Sequence, residues 1–263
     1  VRQQDGALAL LGLVSDDLLA LDPARQEQKK GKKKSRKPPK SDAAGGVSVE
    51  ELLTNFVLPD FSSSCAFLRL RACWVFEKFV VEAHLRNGAA GPCREVLRLL
   101  GDAELPVRAQ ACISLQAFLE RPGDRACEAA VLEQLGPVLE RLLRITAELT
   151  NDEVAATMGV LVDRFPLEIQ PFAVQVVEQL SAQFVHLASA DDEDAASGMA
   201  AQGSAETIVS VLKSCAATHS KDPQEKQRRA ELFGRLAVPL VPLLQRLLRP
   251  NGVDFLEESC EVL

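Results

Sequence analysis

The chain has 263 residues, of which 47% are hydrophobic and 25% are charged, and its net charge is −7. That apolar content is enough to form a buried core, which argues against a wholly disordered chain. Ala, Leu, Val and Glu are abundant and Tyr is absent, so helices are favoured over strands.

The first predicted element is an amphipathic helix over residues 5–21, and residues 1–21 are assigned to a preceding repeat. Residues 22–46 are predicted to be a disordered insertion, because residues 25–40 carry a net charge of +8 and like charges repel. The rest of the chain therefore sums to −15. For the basic residues of the insertion, three roles stay open: a solvated linker, a nuclear localisation signal and a nucleic-acid contact. These residues are Lys29, Lys30, Lys32, Lys33, Lys34, Arg36 and Lys37.

From residue 47 to residue 263 the pattern predicts helices separated by short breaks, with no strand. The predicted helices are 48–58, 65–86, 91–101, 104–120, 126–148, 151–165, 168–188, 204–218, 224–248 and 253–263. Leucines at steps of three and four residues mark the helical period between residues 132 and 149. Asn151 and Asp152 are predicted to cap the helix that follows them.

A second break is predicted at residues 189–203. It contains the acidic residues Asp191, Asp192, Glu193 and Asp194, and no Lys or Arg occurs between residues 187 and 212. An acidic loop of this kind either competes for basic protein cargo or is simply a solvated connection, and the sequence leaves both interpretations open.

An internal repeat is the most informative feature of the sequence. A pattern of aliphatic, Arg, Ala, Cys and large apolar residues recurs 39 residues apart, in the segments 68–79 and 107–118, and its apolar part recurs again in 154–165. Periods of this length, with two helices each, are typical of HEAT and armadillo repeats. The sequence therefore predicts an all-α superhelical solenoid of about four to five HEAT repeats, with an extended concave surface that binds large partners.

Two further features fit that fold. Arg69 and Arg108 occupy the same position in the repeat. The sequence favours equally two roles for them: a polar ladder that ties one repeat to the next, or a solvated surface position. Pro59, Pro137 and Pro171, together with Pro239, fall within or beside the first helix of a pair, where proline bends or ends a helix.

Motifs for chemistry are absent from the sequence. The seven cysteines include no C-x-x-C pair and the three histidines are far apart, so neither a disulfide framework nor a metal site is expected. Cys73 and Cys112 are predicted to be small buried hydrophobes. No phosphate-binding loop or nucleophile elbow occurs, and no apolar run reaches the roughly 18 residues of a membrane span. We therefore expect a soluble, intracellular binding protein with no catalytic residue and no cofactor.

The segment Asn55–Phe79, reading NFVLPDFSSSCAFLRLRACWVFEKF, resembles the importin-β family of nuclear transport receptors, and within it importins seven and eight. The most specific part is the R-A-C-W-V run at Arg71–Val75, and the D-G-A-L of Asp5–Leu8 precedes it as in that family. Weaker matches follow in the family's order at 105–116 and 150–152, and then at the acidic loop. The Lys-rich insertion departs from the family pattern.

The resemblance implies an internal piece of a receptor that shuttles between cytoplasm and nucleus through nuclear pores. Such receptors bind cargo such as ribosomal proteins and histones, contact nuclear pore proteins, and release cargo when Ran-GTP binds. It further implies that the main Ran-binding region lies in N-terminal repeats that are missing here. On the residues alone, a cytosolic HEAT scaffold of a phosphatase or vesicle coat is the alternative, whereas an enzyme has almost no support. Binding to membranes is not expected, and neither is direct binding of nucleic acid by the acidic repeats.

Overall fold

The structure is a computed structural model that describes residues 1–22, 48–83, 85, 88–121, 124–149, 151–187, 195–217 and 223–247. It divides into two compact units, Val1–Glu133 and Gln134–Leu263. No residue within these described ranges lies in a β-strand. The predicted all-α class, built from HEAT-type helical hairpins, is confirmed.

In its described residues, the first unit has two short helices followed by two hairpins and a further helix. Its described helices are α1 (Arg2–Leu13), α2 (Ser15–Leu21), α3 (Val49–Leu52), α4 (Ala66–Val80), α5 (Ala90–Leu99), α6 (Leu105–Glu120) and α7 (Arg125–Leu132). A π-helical turn at Leu53–Val57 and a 3-10 turn at Leu58–Ser62 extend α3. This extended helix pairs with α4, and α5 pairs with α6. Successive second helices pack on one another, as α1 on α4 and α4 on α6, and the first helix α5 packs on α7.

The apolar residues that the repeat aligned form a central part of the core of the first unit. Leu68, Ala72, Cys73, Phe76 and Phe79 are all buried, and so are Val107, Ala111, Cys112, Leu115 and Phe118. The ring of Phe76 lies between those of Phe61 and Phe118, with centroid distances of 5.3 and 6.5 Å. Equivalent positions of successive repeats therefore meet in one core, as stacking of HEAT hairpins requires.

The contact between α1 and α4 explains why the D-G-A-L and R-A-C-W-V segments occur together. Trp74 packs against α1 so closely that a Cβ atom on Gly12 would overlap its ring. Arg71 also lies over the ring of Trp74, at 5.1 Å from the ring centroid, and donates to Asp5 at 2.9 Å. These residues, which are far apart in the chain, thus join the first helix to the repeat that follows.

The second unit repeats the hairpin plan. Its described helices are α8 (Leu135–Glu148), α9 (Asp152–Arg164), α10 (Ala173–Leu187), α11 (Ala195–Ala217) and α12 (Pro223–Leu247). A 3-10 turn at Gln170–Phe172 leads into α10. Helix α8 pairs with α9 and α10 pairs with α11, while α9 packs on α11, and α10 packs on α8 and α12. The third copy of the repeat lies on α9, where Val154, Ala155, Met158, Val162 and Phe165 are buried.

Two predicted helices are interrupted. The predicted helix 126–148 is divided into α7 and α8, because Pro137 in the first turn of α8 lacks the amide that would continue the hydrogen bonds from α7. The predicted helix 5–21 is divided at Val14, and Asp16 and Asp17 in the first turn of α2 interact favourably with its helix dipole. In both places the leucine pattern continues across the interruption.

Of the other three predicted prolines, two lie where first helices are irregular and one lies inside a continuous helix. Pro59 and Pro171 lie in the two 3-10 turns, and Pro239 lies inside α12 together with Pro242. The predicted cap by Asn151 is confirmed, since its Oδ1 accepts from the amide of Val154 at 3.0 Å. Helix α11 begins at Ala195, inside the range 189–203 that was predicted to be a break. The predicted insertion at 22–46, apart from Asp22, and the predicted helix 253–263 lie outside the described residues.

Candidate functional site

The predicted ladder residue Arg69 joins two repeats of the first unit. Its Nε and Nη2 atoms donate to the two carboxylate oxygens of Asp102, each at 2.7 Å. Asp102 lies in the loop between α5 and α6, whereas Arg69 lies on α4. The third nitrogen, Nη1, donates to the backbone oxygen of Ser63 at 2.9 Å. A planar guanidinium that is bound at both ends in this way fixes the orientation of α4 relative to the next hairpin.

Asp102 is held in its ionised form. Burial raises the pKa of this carboxyl, but hydrogen bonds from Arg69 and from the amide of Glu104 outweigh burial and leave the pKa below its usual value. The hydrogen bond to Asp102 also raises the pKa of Arg69. Both groups therefore stay charged at neutral pH, and neither is suited to exchange a proton with a substrate.

Arg108, the second predicted ladder residue, binds within its own hairpin. Its Nη1 atom donates to the backbone oxygens of Asp102 and Ala103, both at 3.1 Å. The bond to the oxygen of residue 102 matches the bond from Arg69 to the oxygen of Ser63, which lies 39 residues earlier. The two arginines thus share one role, which is to hold the loop that precedes their helix.

The two charged segments singled out in the sequence are not among the described residues. The basic residues Lys29 to Lys37 lie in the undescribed range 23–47, and the acidic residues Asp191 to Asp194 lie in 188–194. Their roles therefore stay predictions. Of the three histidines, only His186 lies in a described range, and it is exposed. Among the described residues, no group of three or more potential metal ligands comes together.

The buried cysteines are packing residues. Cys73 and Cys112 are fully buried, as predicted. Burial raises the pKa of the Cys73 thiol. The pKa of Cys93 is also raised, first by its hydrogen bond with Cys127 and then by burial. Thiols in these surroundings are not ionised at neutral pH and are poor nucleophiles.

An open groove lies between the second helices α9 and α11 of the second unit. Its volume is about 420 Å³, and small residues form much of its floor, including Ala156, Gly159 and Gly203. The two helices approach closely there, because a Cβ on Gly203 would lie 3.4 Å from the Cβ of Ala155. The ionisable residues that line the groove are Asp163 and Glu206, and both are exposed.

A second groove, of about 550 Å³, lies between the first helices α8 and α10. Its lining contains both signs of charge, since Arg144 donates to Glu140 at 3.1 Å and His186 lies nearby. Leu143, Ala147 and Ala182 supply its apolar surface. The two grooves thus differ in charge, and the groove between α9 and α11 is the acidic one. Neither was predicted, because each is formed by residues of two helices that meet only in the folded unit.

No helix in the described part of the chain has the length and apolar character needed to cross a membrane. Comparison with known proteins indicates what kind of protein presents the two grooves described above.

The chain is 27% identical over 271 aligned residues to an importin beta-like SAD2 homolog of Arabidopsis thaliana, in an alignment that covers 100% of this chain and 22% of that protein. It is 28% identical over 223 residues to a probable importin-7 homolog of Dictyostelium discoideum, in an alignment that covers 82% of this chain and 19% of that protein. It is 25% identical over 264 residues to importin-8 of Homo sapiens, in an alignment that covers 98% of this chain and 22% of that protein. The predicted resemblance to this family is confirmed. The chain spans about a fifth of the length of these curated relatives. No family model matches it, and no solved structure matches it significantly.

Proposed function

We propose that this chain, a relative of the importin-β-like proteins, is part of a nuclear transport receptor that binds protein cargo and carries it through nuclear pores. The observation that carries the proposal is the similarity to proteins named as importins in a plant, an amoeba and a human, which extends over 82% to 100% of the chain. An all-α stack of HEAT hairpins suits this function, because such repeats present long surfaces to large partners. The chain acts by binding and is not an enzyme.

The proposed cargo is a basic protein, such as a histone or a ribosomal protein. Outside the basic segment 25–40 the chain carries a net charge of −15. A field of that sign attracts basic proteins and repels nucleic-acid phosphates, so the proposed partner is a protein rather than DNA or RNA. Complementary charge of this kind raises the association rate and favours basic partners over acidic ones.

Control by Ran-GTP, contact with nuclear pore proteins and shuttling between cytoplasm and nucleus are proposed for the whole receptor. The matched relatives are about five times longer than this chain. We therefore propose that the chain contributes cargo-binding surface, and we assign no Ran or pore contact to a residue described above.

A binding experiment tests the cargo proposal directly. The 263-residue chain is immobilised and exposed to linker histone H1, with an acidic protein of similar mass as the control. We expect retention of the histone at low ionic strength, weaker retention as salt is raised, and no retention of the acidic protein, because screening acts on the attraction between opposite charges. Equal retention of both proteins, or none of the histone, contradicts the proposal.

A transport experiment separates the receptor from a cytosolic HEAT scaffold. The full-length gene product and fluorescent histone H1 are added to permeabilised cells, with and without Ran and GTP. We expect histone to accumulate in nuclei and Ran-GTP to release it from the protein in solution. Histone binding without nuclear entry and without any response to Ran-GTP supports the scaffold of the phosphatase or vesicle-coat type instead.

A further inference from the structure

We propose that the groove between α9 and α11 receives a Lys or Arg side chain of the cargo. This inference rests on the proposed function, because it names the place where a basic cargo protein is held. It commits to one kind of occupant, a basic side chain of a protein, and three properties of the groove support it.

The first property is space at the base of the groove. Gly159 and Gly203 face the opposing helix, and Ala156 is exposed beside them. These residues have little or no side chain, so the groove stays open to about 420 Å³ although the two helices are in contact. An extended side chain fits such a channel, whereas a bulky side chain at any of these positions would fill it.

The second property is an apolar surface beside the open channel. Val160 and Met199 line the groove, and Met199 is 56% exposed. Lys and Arg have long hydrocarbon stems that pack on apolar surface while the charged group reaches water or a carboxylate. The thioether of Met199 is unbranched and adapts to partners of different shape.

The third property is the charge at the rim. Asp163 on α9 and Glu206 on α11 line the groove, and no Lys, Arg or His is among the described residues that line it. Glu206 accepts a hydrogen bond from Gln202 at 2.9 Å, which orients the carboxylate and leaves it further acceptor positions. Arg164 and Lys213 are the nearest basic residues along these helices, and both are exposed but do not line the groove. Two carboxylates without a basic neighbour in the lining match one incoming cation.

The groove between α8 and α10 provides the contrast. There Glu140 is paired with Arg144, and His186 also lines the groove. An incoming cation would have to displace Arg144 from Glu140, and it would meet the like charge of the guanidinium. The cation is therefore expected in the groove between α9 and α11.

Peptide binding to three variants of the whole chain tests the inference. The probe is a fluorescein-labelled peptide of alternating Gly and Arg, and binding is measured by fluorescence anisotropy at low and at physiological salt. In Asp163→Asn/Glu206→Gln the groove loses its charge but keeps its shape, and we expect the affinity to fall about tenfold. In Ala156→Leu the groove keeps its charge but is filled, and we expect a loss of about fivefold.

The matched control is Glu140→Gln/Glu178→Gln, which removes the same amount of charge from exposed positions on α8 and α10. We expect its affinity to stay within about twofold of the unsubstituted chain. Circular dichroism melting of each variant verifies that the fold is retained, which is expected because all five positions are exposed.

Two results overturn the inference while leaving the proposed function in place. If the groove variant and the control lose affinity equally, the peptide responds to overall charge and not to the groove. If Ala156→Leu binds as well as the unsubstituted chain, the side chain does not enter the channel. If the unsubstituted chain does not bind the peptide at all, the proposed preference for basic cargo is wrong as well.

Discussion

The pair of helices α4 and α6 and the pair α9 and α11 occupy equivalent places in the repeat, but different chemistry joins them. Between α4 and α6, large and charged side chains fill the contact, with Phe76 beside Phe118 and Glu77 accepting from Gln110 at 2.8 Å. Between α9 and α11, glycine and alanine meet, and a Cβ on Gly159 would lie 3.5 Å from Thr207 Oγ1.

Under the proposal made above, one type of repeat serves two purposes. Large side chains bury more apolar area and fix the orientation of neighbouring helices. Small residues let helices approach closely and leave unfilled space beside the contact. The α4–α6 contact is therefore suited to stabilise the protein, whereas the α9–α11 contact is suited to receive a ligand. The following predictions test this contrast.

The largest expected effect is on the aromatic core. Phe76→Ala removes a ring that is 2% exposed and packed between two other rings, so unfolding free energy should fall by about 3–5 kcal/mol. Trp74 is the one tryptophan in the chain, so its fluorescence during urea denaturation reports on the first unit. Phe67→Ala is the control, because Phe67 is 51% exposed, and it should lower the free energy by less than about 1 kcal/mol. Equal effects would show that α4 is not held by its aromatic core.

The ion pair comes next. Arg69→Met leaves Asp102 buried without its partner and should destabilise the first unit by about 1.5–3 kcal/mol at neutral pH, again measured by Trp74 fluorescence in urea. The control is Arg144→Met in the second unit. The pair that it breaks is 61% and 64% exposed, so the effect, measured by circular dichroism, should stay within about 0.5 kcal/mol.

The same pair predicts a pH dependence with a definite sign. The pKa of Asp102 is lower in the folded protein than its unfolded value of about 3.9, so the ionised form favours folding. The stabilisation is fully present above that unfolded value and is lost as pH falls through the folded pKa. The stability difference between the unsubstituted chain and Arg69→Met should therefore be constant near neutral pH and shrink below about pH 4. A difference that grows on acidification would contradict the assignment.

The third largest change in stability is expected for a glycine of the first unit. In Gly12→Ala the new methyl group would overlap the ring of Trp74, so the helices must move apart and unfolding free energy should fall by about 1–3 kcal/mol. Gly6→Ala on the same helix is the control, since no atom lies within 4 Å of its Cβ position. There, the higher helix propensity of alanine should stabilise the unit by about 0.5–1 kcal/mol. If both variants behave alike, Trp74 does not pack on α1 as described.

The smallest effect is expected in the second unit. Gly159→Ala places a methyl group at an ordinary contact distance from Thr207, so the gain in helix propensity should prevail and raise stability by up to about 1 kcal/mol. Thermal unfolding followed by circular dichroism measures it. A loss as large as that of Gly12→Ala would mean that α9 and α11 are packed as tightly as α1 and α4, which would remove the contrast between the two units.

The sequence predicted much of the scaffold, because its signals are local or periodic. The burial of Phe76, Phe118 and Phe165 follows from the repeat, and the cap at Asn151 follows from residue type and position. The division between α7 and α8 was missed, since the leucine period continues across Pro137 and conceals the lost amide hydrogen bond.

The candidate sites were harder to predict because they depend on contacts between distant segments. Asp102 lies 33 residues from Arg69, and nothing in the sequence pairs them before the hairpins stack. The acidic groove needs Asp163 and Glu206 on two helices. Part of its wall, including Met199 and Gly203, lies in a range that was predicted to be a loop because of its small residues.

The bond between Arg69 and Asp102 has a consequence for synthesis on the ribosome. Arg69 is made 33 residues before its partner, and Phe76 is made before Phe118. The nascent α3–α4 hairpin must therefore keep its guanidinium in water and one aromatic face uncovered until the following hairpin emerges. Each translated repeat completes the one before it, so the order of translation is also the order in which this unit can close.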